Sequence, residues 1–129
     1  MTKYKSDNVI QSLTNAMHGL RLAFFSQRNF VIEIVLAIIA VILGVILRFN
    51  LTDICIILVI SSIVLICELL NSVIEFTLDA VYKNSYSRLV EMAKDISAGM
   101  VLLACMFSSI IGLLLFLKYI LNILLKNCF

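Results

Sequence analysis

The sequence predicts an all-α membrane protein, with one amphipathic surface helix followed by three membrane-spanning helices. Three observations predict it. The composition is 63% hydrophobic and 14% charged, with no proline, whereas a soluble domain carries about 25% charged residues. The mean hydropathy is +1.13. The apolar residues gather in three long runs, parted by Arg48-Phe49-Asn50 and by the polar stretch from Lys83 to Arg88. At 129 residues the chain, 1–129, reads as a single membrane domain.

Each element has its own warrant. In residues 1–29, Leu13, Met17, Leu20, Phe24 and Phe25 recur at helical spacing, with Asn15, His18, Arg21 and Arg28 between them. That pattern suits a helix lying at the membrane surface. Residues 30–47 form the first span, long enough for a hydrocarbon core ~30 Å thick. Glu33 is the charge within it. The second helix, 51–82, is nearly pure Ile, Leu, Val and Ser as far as Cys67. Its ~45 Å length exceeds the core, so its end projects to the membrane–water boundary. The third helix runs 90–117, and an apolar tail flanked by Lys118 and Lys126 follows.

Basic residues set the expected orientation. Lys3, Lys5, Arg21 and Arg28 precede the first span, and Lys83, Arg88 and Lys94 surround the second break, against Arg48 alone in the first turn. Cytoplasmic segments carry the excess of Lys and Arg. The N-terminus and the 83–95 region are therefore expected on the cytoplasmic side.

Composition also excludes several functions. A net charge of +2 is too small to suggest nucleic acid. His18, the single histidine, cannot build a histidine metal site. Cys55, Cys67, Cys105 and Cys128 lie in or beside apolar runs without CxxC spacing and read as small apolar filler. No glycine-rich phosphate loop is present in the sequence.

The informative stretch is Glu68-Leu-Leu-Asn71-Ser-Val-Ile-Glu75-Phe-Thr-Leu-Asp79. At ~100° per residue, positions 68, 71, 75 and 79 share a stripe roughly 80° wide. A carboxylate at a helix centre in lipid costs about 2.5–3.5 kcal/mol even on lenient scales, so a row of them reads as a site. Acidic residues do not normally gather beside an anionic inner leaflet. Glu68, Glu75, Asp79, Glu91 and Asp95 all lie within positions 68–95, so something cationic is expected there. Glu68 and Glu75 are ~10.5 Å apart along the axis, too far to clamp one ion together. Glu75, nearer water, suits a hydrated cation; Mg²⁺ is usually held by one or two carboxylates plus waters and phosphates. Glu68, set deeper, suits a proton-exchanging group. Asn71 can orient either. Lys94, beside Asp95, is a natural partner for phosphate oxygens. Ser97, Ala98 and Gly99 read as a close-packing face.

Glu68-x-x-Asn71-Ser72-x-x-Glu75-x-x-x-Asp79, followed by Ala93-Lys94-Asp95, resembles the prokaryotic diacylglycerol kinase family, which includes undecaprenol kinases. The resemblance covers about residues 8–118. It implies phosphoryl transfer from ATP to a lipid hydroxyl in a bacterial inner membrane, by a homotrimer whose active sites are shared between neighbouring chains. By motif position Glu68 matches the catalytic base and Glu75 a Mg²⁺ ligand. Asn71, Asp79, Tyr86, Lys94 and Asp95 match the ATP region. The lipid falls to Glu68, Arg21, Glu33 and Ala98. Gln27 stands where the family commonly has a second metal-binding glutamate. Residues 27–30 and 94–99 look like the undecaprenol kinase branch, while Glu33 and the length suit the diacylglycerol branch, so both lipids stay open. The competing expectation is a small proton or cation conductor that uses the acidic stripe as a relay.

Overall fold

The computed structural model describes residues 9–83 and 87–127, and these are helical apart from the connections. Four helices follow in order: α1, Val9–Ser26; α2, Arg28–Ile46; α3, Leu51–Tyr82; α4, Arg88–Asn127. α3 lies between α2 and α4, and α1 touches the bundle through α2. α2, α3 and α4 are each long and apolar enough to cross a membrane.

α1 buries only Ala23. Leu13, Met17, Leu20, Phe24 and Phe25 are all exposed. Gln27 adopts an extended conformation and separates α1 from α2. Its N–H still reaches the Ala23 carbonyl at 2.8 Å, and its own carbonyl accepts from Val31 at 3.4 Å.

α2 stops in a two-bond C-terminal motif. Arg48 N–H donates to the Val45 carbonyl at 3.0 Å and Phe49 N–H to the Gly44 carbonyl at 2.9 Å. This is the Schellman pattern, which normally puts glycine at the left-handed position. Here that residue is Arg48, with φ 58°. The hairpin closes tightly because Gly44 lacks a side chain: a Cβ there would lie 2.9 Å from Ile54 Cδ1 and 3.3 Å from Phe49 Cδ2.

Asn50 caps α3 by accepting the Asp53 N–H on its Oδ1 at 2.7 Å. The 32 residues of α3 extend ~48 Å. The helix ends at Lys83, also left-handed, whose N–H returns to the Asp79 carbonyl at 3.0 Å. Hydroxyls along it fold back onto carbonyls four residues earlier, Ser62 to Leu58 and Thr77 to Val73. That removes their need for water within an apolar helix.

α4 corrects an expectation. The sequence pattern places the third helix at 90–117 with an apolar tail after it, whereas α4 continues to Asn127. No proline interrupts it, and beyond Gly112 the run Leu-Leu-Leu-Phe-Leu-Lys-Tyr-Ile-Leu-Asn-Ile-Leu-Leu-Lys holds mainly residues of good helix propensity. Its 40 residues extend ~60 Å.

At the α2–α3 turn the chain is joined to α4 by a junction that the sequence pattern does not reveal. Asp53, 5% exposed, accepts from Tyr119 Oη at 2.7 Å and from Lys118 Nζ at 3.0 Å. Tyr119 Oη also accepts the Asn50 N–H at 2.9 Å. The Phe49 ring stacks on Tyr119 at 4.0 Å and meets Phe116 at 5.0 Å between centroids. Lys118, expected as a flank charge, is therefore one half of an ion pair.

Candidate functional site

The opposite end of the bundle, near the α3–α4 connection, carries a second polar group. Helical periodicity puts Glu68, Asn71 and Ser72 on the face of α3 that turns inward, and all three are buried. Glu68 is 2% exposed. Ser72 Oγ donates to the Glu68 carbonyl at 2.9 Å, leaving the Glu68 carboxylate to its surroundings. Buried ionised groups need compensation, so the position is costly unless it is used.

α4 completes the group. Ser97, 3% exposed, donates to Asn71 Oδ1 at 2.6 Å, and its Oγ also lies 2.8 Å from the Lys94 carbonyl. Asn71 Nδ2 reaches Glu75 Oε1 at 3.5 Å, a long bond. Further out, Lys94 Nζ pairs with Asp79 Oδ1, both groups partly open to solvent. The burial gradient follows the stripe: Glu68 and Asn71 are buried, Glu75 is half-buried and Asp79 is exposed. One helical face therefore leads from the protein interior to its surface.

A cavity of about 350 Å³ lies between α2, α3 and α4. Ala37, Ala40, Ile57 and Val64 make apolar wall, Ser61, Ser108 and Cys105 add polar atoms, and Phe116 also lines it. Glu33 lines it as well. One of its oxygens, Oε1, is 3.8 Å from Cys105 Sγ. The other, Oε2, is buried and has no hydrogen-bond partner among the described residues. Glu33 is within electrostatic reach of Glu68, and Glu68 of Glu75. The carboxylates thus form a row that begins beside the cavity and ends at the surface.

The structure brings Glu68, Asn71, Glu75, Asp79 and Lys94 into one file across α3 and α4. Asp95 and Ala98 are exposed on α4, and Asp79, not Asp95, is the ion-pair partner of Lys94. Arg21 is exposed on α1, its guanidinium 5.7 Å from the Phe25 ring centroid. Gln27 sits at the α1–α2 break with no side-chain capping bond. Tyr86 lies outside the described residues. Among the described residues no three His, Cys, Asp or Glu side chains gather as a metal cage. The donor set still suits Mg²⁺, which takes one or two carboxylates and fills its remaining positions with water and phosphate oxygens.

Two contributors escaped the sequence reading. Ser97, which reads as packing surface in the sequence, is hydrogen-bonded to Asn71. Cys105, which reads as apolar filler, touches Glu33. The signal for Ser97 was its place three residues after Lys94, on the same face of a helix.

Known proteins are similar to this chain in sequence. The family model described as prokaryotic diacylglycerol kinase matches residues 14–116. A diacylglycerol kinase of Synechocystis sp. is 32% identical over 117 residues, covering 91% of this chain and 67% of that protein. An undecaprenol kinase of Bacillus subtilis is 32% identical over 107 residues, covering 83% of this chain and 86% of that one. The matched stretch contains the whole polar file from Glu33 to Ser97, together with the apolar helices that carry it. On that ground the chain is a membrane protein belonging to the prokaryotic diacylglycerol kinase family.

Proposed function

We propose that the protein transfers the γ-phosphoryl group of ATP to the hydroxyl of a membrane lipid, diacylglycerol or undecaprenol. One observation carries the reading. Glu68 is buried, within electrostatic reach of the cavity carboxylate Glu33 on one side and of the half-buried Glu75 on the other. A lipid entering sideways meets the apolar cavity wall and brings its hydroxyl toward Glu68. Polar nucleotide approaches from the exposed end, near Glu75, Asp79, Lys94 and Asp95. The unpartnered Glu33 Oε2 is suited to accept a hydrogen bond from the lipid headgroup.

Glu68 takes the hydroxyl proton as the lipid oxygen attacks the γ-phosphorus. The new P–O bond forms while the bond to the bridging oxygen breaks, and ADP leaves with that electron pair. Such transfers depend mainly on positioning and charge neutralisation. Glu75, with the Gln27 amide oxygen in part, would hold Mg²⁺, which would supply charge neutralisation for the phosphates when bound. Lys94, partly released from Asp79, faces phosphate oxygens. Asn71 orients Glu75. Arg21 and Ala98 flank the lipid approach, and Tyr86 the nucleotide. The working unit is a homotrimer in a bacterial inner membrane, with the N-terminus and the site facing the cytoplasm. One feature favours association: large apolar side chains of α1 and α4 are exposed in the single chain.

The test is phosphate transfer from labelled ATP by the purified protein in micelles, with each lipid offered separately. Labelled lipid, dependent on Mg²⁺ and lost in Glu68→Gln while Mg·ATP binding survives, supports the proposal. Full activity of Glu68→Gln removes the base assignment. Absence of nucleotide binding, together with ion flux into liposomes, replaces the kinase reading with ion conduction.

A further inference from the structure

Ser97 occupies a position that none of the transfer steps uses, yet its hydroxyl joins the two halves of the site. A hydroxyl has one proton to give, and two acceptors compete for it. Asn71 Oδ1 lies at 2.6 Å and the Lys94 carbonyl at 2.8 Å. The shorter contact is to Asn71, and Ser97 and Asn71 are 3% and 8% exposed, where water does not supply an alternative donor. With its oxygen tied to Ser97, the Asn71 carboxamide must turn its NH₂ outward, toward Glu75 Oε1 at 3.5 Å. Rotated the other way, the same carboxamide would set its oxygen against the Glu75 carboxylate, acceptor against acceptor. The orientation of Asn71, and through it that of Glu75, therefore depends on a proton on the neighbouring helix.

We infer that Ser97 is a positioning residue for the cation site: by donating to Asn71 Oδ1 it holds the Asn71 NH₂ on Glu75 and presents one carboxylate orientation to a divalent cation. The inference rests on the reading of Glu75 as a metal ligand. A half-buried glutamate held in one rotamer binds with less loss of freedom than one that must be ordered by the ion. Because the Asn71–Glu75 bond is long, the effect is modest in size. Ser97 touches neither nucleotide nor lipid in this scheme and acts only through Asn71.

The experiment is Mn²⁺ binding to the full chain in micelles, without nucleotide or lipid, read by electron paramagnetic resonance. Ser97→Ala is expected to weaken Mn²⁺ about 2- to 10-fold, the span of ordering one mobile side chain. Ser97→Thr, which keeps a hydroxyl, is expected to restore it. In an Asn71→Ala background the Ser97→Ala change is expected to add nothing. In phosphate transfer the same variant should raise the Mg²⁺ requirement and leave the lipid KM unchanged. Unchanged or tighter Mn²⁺ binding in Ser97→Ala, or an effect that persists without Asn71, overturns the inference. Glu75→Gln separates the two levels. If it abolishes Mn²⁺ binding while Ser97→Ala does nothing, only the Ser97 role fails. If it too leaves Mn²⁺ binding intact, the metal role of Glu75 and the Ser97 inference fall together.

Discussion

Gly44 allows a prediction whose size can be worked from distances. Replacing a helical glycine by alanine normally stabilises by roughly 0.5–1 kcal/mol, because glycine loses more backbone freedom on folding. At Gly44 the added Cβ would stand 2.9 Å from Ile54 Cδ1, 3.3 Å from Phe49 Cδ2 and 3.5 Å from Ile57 Cδ1. Carbon atoms prefer about 3.5–4.0 Å. The Ile54 methyl group can swing aside. Phe49 cannot move freely, because its ring is stacked on Tyr119 and packed on Phe116. Ile57 is fully buried. Overpacking of this kind costs typically 1–3 kcal/mol, so Gly44→Ala should destabilise by about 0.5–2 kcal/mol net. Gly112 supplies the control, since its Cβ would meet nothing within 4 Å. Gly112→Ala should therefore show the helix gain alone. The two variants are expected to separate by about 1–3 kcal/mol, or roughly 5- to 150-fold in the unfolding equilibrium at 1.4 kcal/mol per tenfold. The assay is SDS-titrated unfolding in mixed micelles, followed by far-ultraviolet circular dichroism. If both variants shift stability in the same direction by the same amount, the close hairpin contact is wrong.

Three further outcomes are expected. Glu75→Gln should raise the Mg²⁺ concentration needed for half-maximal phosphate transfer, and an unchanged titration would remove Glu75 from the cation site. Ala40→Phe should fill the cavity and raise the lipid KM at least several-fold while leaving the ATP KM in place; equal effects on both substrates would detach the cavity from the lipid. Arg48→Gly should stabilise the protein by about 1 kcal/mol, since the left-handed conformation costs a side-chain-bearing residue roughly 1–2 kcal/mol and glycine's extra unfolded-state freedom returns about 0.4–1. The same SDS titration reads it, and a loss of stability would refute the strain argument.

The parts of the structure legible in the sequence are those written by local periodicity. Three apolar runs without proline declare three long helices, and the break at Arg48-Phe49-Asn50 declares a hairpin. The stripe of Glu68, Asn71, Glu75 and Asp79 follows from spacing along a single helix. The end of α4 is not legible because Lys118 reads as a boundary, whereas a helix of Leu and Ile residues tolerates a lysine whose ammonium finds a carboxylate. What spacing cannot convey is the register between helices. Ser97 meets Asn71 across 26 positions and Cys105 meets Glu33 across 72. Nothing local marks either partner. Ser97 among Ile96, Ala98 and Gly99 looks like any small residue at a helix crossing until the opposite helix is in place.

The junction at Asp53 also orders events in time. The α2–α3 hairpin closes through bonds among residues 43–54, so it can form as soon as that stretch leaves the ribosome and enters the bilayer. The contacts of Asn50 and Asp53 with Tyr119 and Lys118 span 65 to 69 positions, and closing so long a loop must wait until nearly the whole chain has been synthesised. Lys118 and Tyr119 also lie past the stretch that matches the family, which ends at residue 116. Formed late, the contacts of Asp53 and Asn50 fasten the hairpin to α4 beside Phe116 at the cavity's edge, and a nascent chain released before them would carry its buried polar file in an unfinished enclosure.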